Sequence, residues 1–145
     1  MSKIVPTISS GTAGPLGALH LPRFWQKVSL EAAGKLHADY PACGAGYDQM
    51  TLDALGLDKD ATLAYIKENK PSYTAFEAWV KENATNLGNI AEHNAAITGY
   101  NHEDATRAEI FAATNLTDET CSFRDAVNLN NLDDWAIFHA EEIAG

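Results

Sequence analysis

His20, Arg23 and Lys27 fall within one short stretch, with Arg23 and Lys27 four residues apart. On a helix that spacing stacks two cations on one flank. An arginine there can grip a carboxylate or phosphate through two parallel hydrogen bonds, and a lysine one turn on adds a second charge. His20, just ahead of the stretch, has a side chain that can move a proton near neutral pH. The loop before it, Gly11-Thr-Ala-Gly14-Pro-Leu-Gly17, has the backbone freedom to approach a ligand closely. A helix N-terminus following such a loop offers unpaired N–H groups and partial positive charge. Arg23, Lys27, Gly14 and Gly17 are therefore the candidate contacts for a small anion. The loop is not a Walker loop, since no Gly-Lys-Ser/Thr follows, and it lacks the βαβ setting of a dinucleotide fingerprint. The plain structural alternative is a glycine loop wrapping the domain, with both cations paired to acidic neighbours.

A second set lies in the turn from His37 to Gln49, which carries Asp39, Tyr40, Tyr47 and Asp48. A buried carboxylate near a cation can act as a general base, and a tyrosine hydroxyl can donate to an oxyanion or orient a substrate. His20, Asp48, Tyr40 and Tyr47 are the candidates for acid/base work. Asp48 fits equally well as the N-cap of a short helix. His93, His102 and His139 show no metal-ligand spacing, so no metal and no cofactor is expected. No GxSxG elbow is present, and neither Cys43 nor Cys121 sits in a CxxC or a local nucleophile motif. Both cysteines read as free, buried thiols.

Ten basic and twenty acidic residues give a net charge of −10, which repels nucleic acid and anionic lipid. The charge is uneven. Residues 1–37 carry Lys3, Arg23, Lys27 and Lys35 against Glu31 alone, while the remainder carries six basic and nineteen acidic residues. A cationic opening in an acidic chain suits a small anion better than a polyanion. No apolar run has the length of a membrane span or of a signal-peptide core, so the expected compartment is the cytoplasm.

The elements that must position these residues are short helices. The 145 residues fit a single domain, 1–145, divided into an extended arm with the Gly-rich loop (1–18) and a helical body (19–145). A first helix starts near Pro22, with Leu21, Trp25, Val28, Ala32 and Leu36 as its inward stripe and Phe24 widening it. A short helix from Asp48 to Leu55 stops at Gly56. Asp58 caps the next, with Leu63, Tyr65 and Ile66 inward, and Lys70-Pro71 ends it. Thr74 and Glu77 have capping-box spacing, for a helix burying Phe76, Trp79 and Val80. A helix with Leu87, Ile90, Asn94 and Ile97 on one face closes at Gly99, and Asn101 is placed to cap the one after, with Phe111 inward. Residues 115–131 look least regular. The last helix is expected from about Leu132, burying Trp135, Phe138 and Ile143. The class is all-α, an irregular bundle of six or seven short helices.

The chain resembles a bacterial family of domains of unknown function, DUF5069. The resemblance rests on Leu21-Pro22-Arg23 with Lys27, Asp48-Gln49 before a short helix, Phe76-Glu77-Ala-Trp79-Val80, and Asp133-Asp134-Trp135 followed by Phe138-His139. It implies a small helical bacterial protein and assigns no reaction or catalytic residue. The expectation from the residues themselves is a protein that binds a small anionic metabolite and performs cofactor-independent acid/base chemistry on it. A non-catalytic helical interaction module, self-associating through the N-terminal arm or the acidic surface after residue 83, is the alternative.

Overall fold

A computed structural model of the chain describes residues 3–145. Seven α-helices run in order: α1 (Leu21–Ala32), α2 (Tyr47–Leu55), α3 (Lys59–Asn69), α4 (Tyr73–Asn83), α5 (Ile90–Gly99), α6 (Asp104–Thr114) and α7 (Ala126–Phe138). A 3₁₀ turn, Leu87–Asn89, leads into α5, and a π-helical turn, His139–Ile143, follows α7. Among the described residues, extended pairing is limited to isolated bridges, Ile4 with Leu36 and Asn101 with Asp125. The fold is all-α. No helix among the described residues is long and apolar enough to cross a membrane. Backbone contacts group the chain into two compact units, Met1–Ile97 and Thr98–Gly145.

In the first unit, Pro22 sits in the opening turn of α1, where its missing N–H leaves nothing unpaired. Leu21, Phe24 and Val28 are wholly buried and meet Leu52, Leu55, Ile66, Phe76 and Val80 in one apolar cluster. Burying each such side chain is worth about 1.5–3 kcal/mol. The stripe expected along α1 stops short. Gly34 adopts a left-handed conformation (φ 71°) just past the helix end, which leaves Ala32 exposed. Leu36 is still buried, because it pairs with Ile4 instead of lying on the helix. Trp25 is half-buried, with its indole N–H donating to the Pro71 carbonyl at 3.0 Å.

Residues 3–10 run back along α1. Ile4 exchanges backbone hydrogen bonds with the Lys35 carbonyl (2.6 Å) and the His37 N–H (3.0 Å), and Val5 is buried. The glycine loop then turns across α4. A Cβ on Gly14 would collide with the Tyr73 ring and the Glu77 carboxylate, so only glycine lets the loop lie so close. Glu77 is buried and accepts from the Leu16 N–H (3.1 Å) and the Tyr73 hydroxyl (2.6 Å). The capping-box reading of Thr74 and Glu77 is thereby overturned. Ser72 caps α4, accepting from the Ala75 N–H at 3.2 Å, and Glu77 fastens the loop instead. Burial, together with the Glu77 hydrogen bond and charge, pushes the Tyr73 hydroxyl far above its usual range. Asp58 caps α3 as expected, accepting from the Ala61 N–H at 2.9 Å.

The second unit has a small apolar centre of Ile110, Phe111 and Leu129. Arg107 is buried beside it, its guanidinium 4.2 Å over the Phe111 ring and bonded to Asp118 (2.6 Å) and the Phe123 carbonyl (2.7 Å). Asn101 does not cap α6, since Glu103 precedes that helix and Asn101 bridges to Asp125. The last helix begins at Ala126 and not near Leu132, because Asp125 caps it by accepting from the Asn128 N–H at 3.0 Å. With that start Ala126 and Leu129 face inward. Trp135 then lies about 120° round the helix from Leu129. Trp135, Phe138 and Ile143, expected inside, are 63%, 45% and 66% exposed.

Gly14→Ala should cost about 1–3 kcal/mol of stability in urea denaturation, the usual penalty of forcing atoms into a packed contact. Gly88→Ala, where an added methyl meets open space, should stay within about 0.5 kcal/mol of the parent. Equal effects would show that the close loop crossing is absent in solution.

Candidate functional site

Three local features of the first unit converge on one carboxylate. The helical spacing of Arg23 and Lys27 puts both on the flank of α1, and both are buried there. Gly46 precedes α2, so Asp48 falls in its first turn rather than at its cap. The segment before α1 turns so tightly that His20 takes a left-handed conformation, φ 72° and ψ −23°, which is uncommon for a side chain with a Cβ.

Asp48 is where they meet. Its Oδ1 lies 2.6 Å from His20 Nε2, and its Oδ2 accepts from Lys27 Nζ (2.5 Å) and the Gly44 N–H (2.8 Å). On the far side of the imidazole, His20 Nδ1 lies 2.9 Å from Ser10 Oγ. Ser10, His20 and Asp48 are 2%, 2% and 3% exposed, so a continuous polar chain from Ser10 to Lys27 is closed off from water. The expectation that Asp48 caps its helix is overturned: the carboxylate points to α1, and its charge is spent on a histidine and a lysine.

Burial alone would raise the Asp48 carboxyl. The His20 hydrogen bond and the Lys27 charge together outweigh it and hold the group below the usual carboxylate range. Burial lowers His20 from 6.5 more than the Asp48 hydrogen bond and charge raise it, with Lys27 and Arg23 adding to the lowering. Near neutral pH the pair is an ionised carboxylate and a neutral imidazole. Because a carboxylate only accepts, the imidazole proton is assigned to Nε2, leaving Nδ1 to accept from the Ser10 hydroxyl. A serine, an imidazole and a carboxylate so connected can store a proton and stabilise an imidazolium.

The remaining candidates surround this chain unequally. Arg23 Nη1 donates to the Ile8 carbonyl at 2.9 Å, and its guanidinium lies 5.8 Å from the centre of the half-buried Tyr40 ring. The Tyr47 ring is tilted against His20 at 5.5 Å, and its hydroxyl donates to the Ile97 carbonyl at 2.7 Å. Lys27 was expected to hold an anion beside Arg23; its ammonium is bonded to Asp48. Gly14 packs on Tyr73 and Glu77, away from that carboxylate's donors, and Gly17 (φ 90°) offers its carbonyl to the Asn94 side chain at 2.8 Å.

Several groups escaped the sequence. Asn94 Oδ1 accepts from the Leu19 N–H (2.9 Å), and His93 Nε2 bonds the Leu19 carbonyl (3.0 Å), so α5 grips the residue next to His20. His93 is buried, its Nδ1 has no protein partner, and burial lowers it from 6.5 against the opposing Leu19 hydrogen bond. The spacing of Asn94 in the apolar face of its helix was the one available signal. Ser10 carried none. Cys43 and Cys121, expected buried, are free and half-buried, and burial followed by the Asp48 charge raises the Cys43 thiol. Among the described residues no three His, Cys, Asp or Glu side chains gather to hold a metal.

The fold and this centre define a small all-α protein built over a buried Ser–His–Asp–Lys chain. It belongs to the family described as Domain of unknown function (DUF5069), whose model matches residues 9–134 and so takes in every member of that chain. None of the curated proteins compared with the chain matches it.

Asp48→Asn should cost about 3–5 kcal/mol, because it strands the buried Lys27 ammonium; urea denaturation at pH 7 measures it, and a loss below 1 kcal/mol would mean the pair is open to water. The pH dependence has a definite sign. His20 and His93 are both lowered in the folded chain, so the unfolded chain takes up protons first. Stability should be level between about pH 7 and 8 and fall as pH drops below about 6.5. Asp48, also lowered, adds a second loss at pH values under its ordinary 3.8. His20→Gln and His93→Gln should each flatten the first decline.

Proposed function

We propose that the protein binds a small anionic metabolite, a carboxylate or a phosphate, at this centre and performs a cofactor-independent proton transfer on it, as a lyase, isomerase or hydrolase would. The observation that carries the reading is the buried connection of Ser10, His20, Asp48 and Lys27, since perturbed titratable groups packed together are where acid/base chemistry is tuned. His20 is the base: its Nδ1 takes the Ser10 hydroxyl proton as Ser10 Oγ takes one from the ligand, so the hydroxyl is restored and the proton rests on the imidazolium. Asp48 fixes its tautomer and steadies the imidazolium, and Lys27 keeps Asp48 ionised. Arg23 meets the anion and Tyr40 orients it, while Tyr47, whose hydroxyl donates to the Ile97 carbonyl, holds the His20 ring in place. The burial of Ser10, His20 and Asp48 limits the ligand to a small one. The family resemblance and the charge pattern suit a bacterial cytoplasmic protein.

A melting screen over small carboxylates and phosphates tests this. A ligand present at a hundred times its Kd should add about 2.7 kcal/mol of stability. Arg23→Ala should abolish the shift, and Arg23→Lys should keep part of it. A screen in which no anion raises the melting temperature sinks the reading, as does a shift indifferent to both Arg23 variants.

A further inference from the structure

The second unit exposes more large apolar side chains than it buries. Trp135 and Phe138 stand one turn apart on α7, and Ile143 follows on the π-helical turn, all well exposed, whereas the unit's centre is Ile110, Phe111 and Leu129. Three large apolar side chains exposed along one helical stretch, the tryptophan 63% exposed, form the kind of patch that marks an interaction surface. The charge around that surface narrows what can cover it. From Ala126 to Gly145 the chain carries Asp133, Glu141 and Glu142 outside the buried Asp134, and no lysine or arginine. Across the whole unit ten carboxylates face two arginines, Arg107 and Arg124, which lie 2.6 Å and 3.7 Å from Asp118 and Asp104.

A second copy of this surface would bring like charge against like charge, and nucleic acid or anionic lipid is repelled for the same reason. The chemistry that fits is the opposite: an apolar stripe to cover Trp135, Phe138 and Ile143, edged by cations that meet the carboxylates. We propose that the outer face of α7 and the turn after it docks a basic amphipathic helix of another protein, laid along it with its apolar side down. This surface is a separate activity from the acid/base centre and does not depend on it.

The test uses the full chain labelled with 5-fluorotryptophan, whose three tryptophans give separate ¹⁹F signals, with Trp135→Phe assigning the one at issue. The probe is a Leu/Lys amphipathic helix of about 18 residues, five turns. A Leu/Glu helix of the same pattern and a scrambled Leu/Lys peptide serve as controls. The Leu/Lys helix should move the Trp135 signal saturably and leave those of Trp25 and Trp79 in place. Trp135→Ala, at an exposed position, should keep the melting temperature and weaken binding at least about tenfold. Glu141→Lys with Glu142→Lys should weaken it by a similar factor. The proposal is overturned if the Leu/Lys helix leaves the signal unmoved, or if the scrambled or acidic peptide moves it as well. It is also overturned if the signal shifts with protein concentration alone, which would make a second copy the occupant.

Discussion

Everything in the first unit is arranged around a carboxylate that has been taken out of water. Moving an isolated carboxylate into a protein interior costs several kcal/mol, and the cost is recovered only when donors occupy its lone pairs with good geometry. Asp48 has three such donors from three places in the chain: His20 ahead of α1, Lys27 on α1, and the Gly44 N–H in the turn before α2. Each is useful only if the backbone holds it, so one charge ties α2 to α1 and both to the turn between them. The apolar cluster of Leu21, Phe24, Val28, Leu52 and Leu55 forms from the same helices. Hydrophobic burial supplies most of the attraction between α1 and α2, and the carboxylate selects the arrangement in which they meet.

The histidine side of the network rests on a second fixture. His20 is left-handed, a conformation that costs on the order of 1–3 kcal/mol where it is not reinforced. Reinforcement comes from both directions. The His20 N–H donates to the Thr12 carbonyl at 3.2 Å, and its carbonyl accepts from the Phe24 N–H at 2.9 Å, opening α1. Asn94 and His93, more than seventy residues further on, take the two backbone groups of Leu19. The glycine loop is locked as well, by Glu77 on Leu16 and by the contact of Gly14 with Tyr73. The strain is thus held by α1, α4 and α5 together, and it aims the imidazole between a serine and a carboxylate.

Much of the helical framework was legible in the sequence, and what failed has identifiable causes. Helices with a cap and a periodic apolar face, such as the one running from Asp58 to Lys70, were readable because their signals are local. Capping rules misplaced Asp48 and Glu77 for one reason: a carboxylate in a first turn looks like a cap until another segment competes for it, and Lys27 and Leu16 do so. Asp125 was the reverse case, a true cap hidden in an Asn- and Thr-rich stretch. Missing it put the start of the last helix too late and turned Trp135 inward on paper. In the candidate site, His20, Arg23, Lys27, Asp48, Tyr40 and Tyr47 were reached through residue type and charge asymmetry. Ser10 and His93 could not be, since their importance lies in partners ten and seventy-four positions away, and Asn94 showed only as a polar residue on the apolar face of its helix.

A buried ion pair is weak evidence of function by itself, because well-packed apolar side chains of similar volume often stabilise a fold as well or better. What distinguishes this cluster is what an ion pair does not require. Holding α2 against α1 needs Asp48, Lys27 and a neutral donor on Asp48 Oδ1, which a side-chain amide could supply. It needs neither an imidazole in a strained conformation nor a hydroxyl on the other face of that imidazole. Those additions cost stability at low pH, since His20 stays neutral where the unfolded chain would bind a proton. The same reasoning applies to His93, whose buried and unpartnered Nδ1 is a standing cost that an apolar residue would remove. Two buried neutral histidines, His20 against Asp48 and His93 against the Leu19 carbonyl, are thus held in a dry interior at a cost in low-pH stability that apolar side chains would not carry.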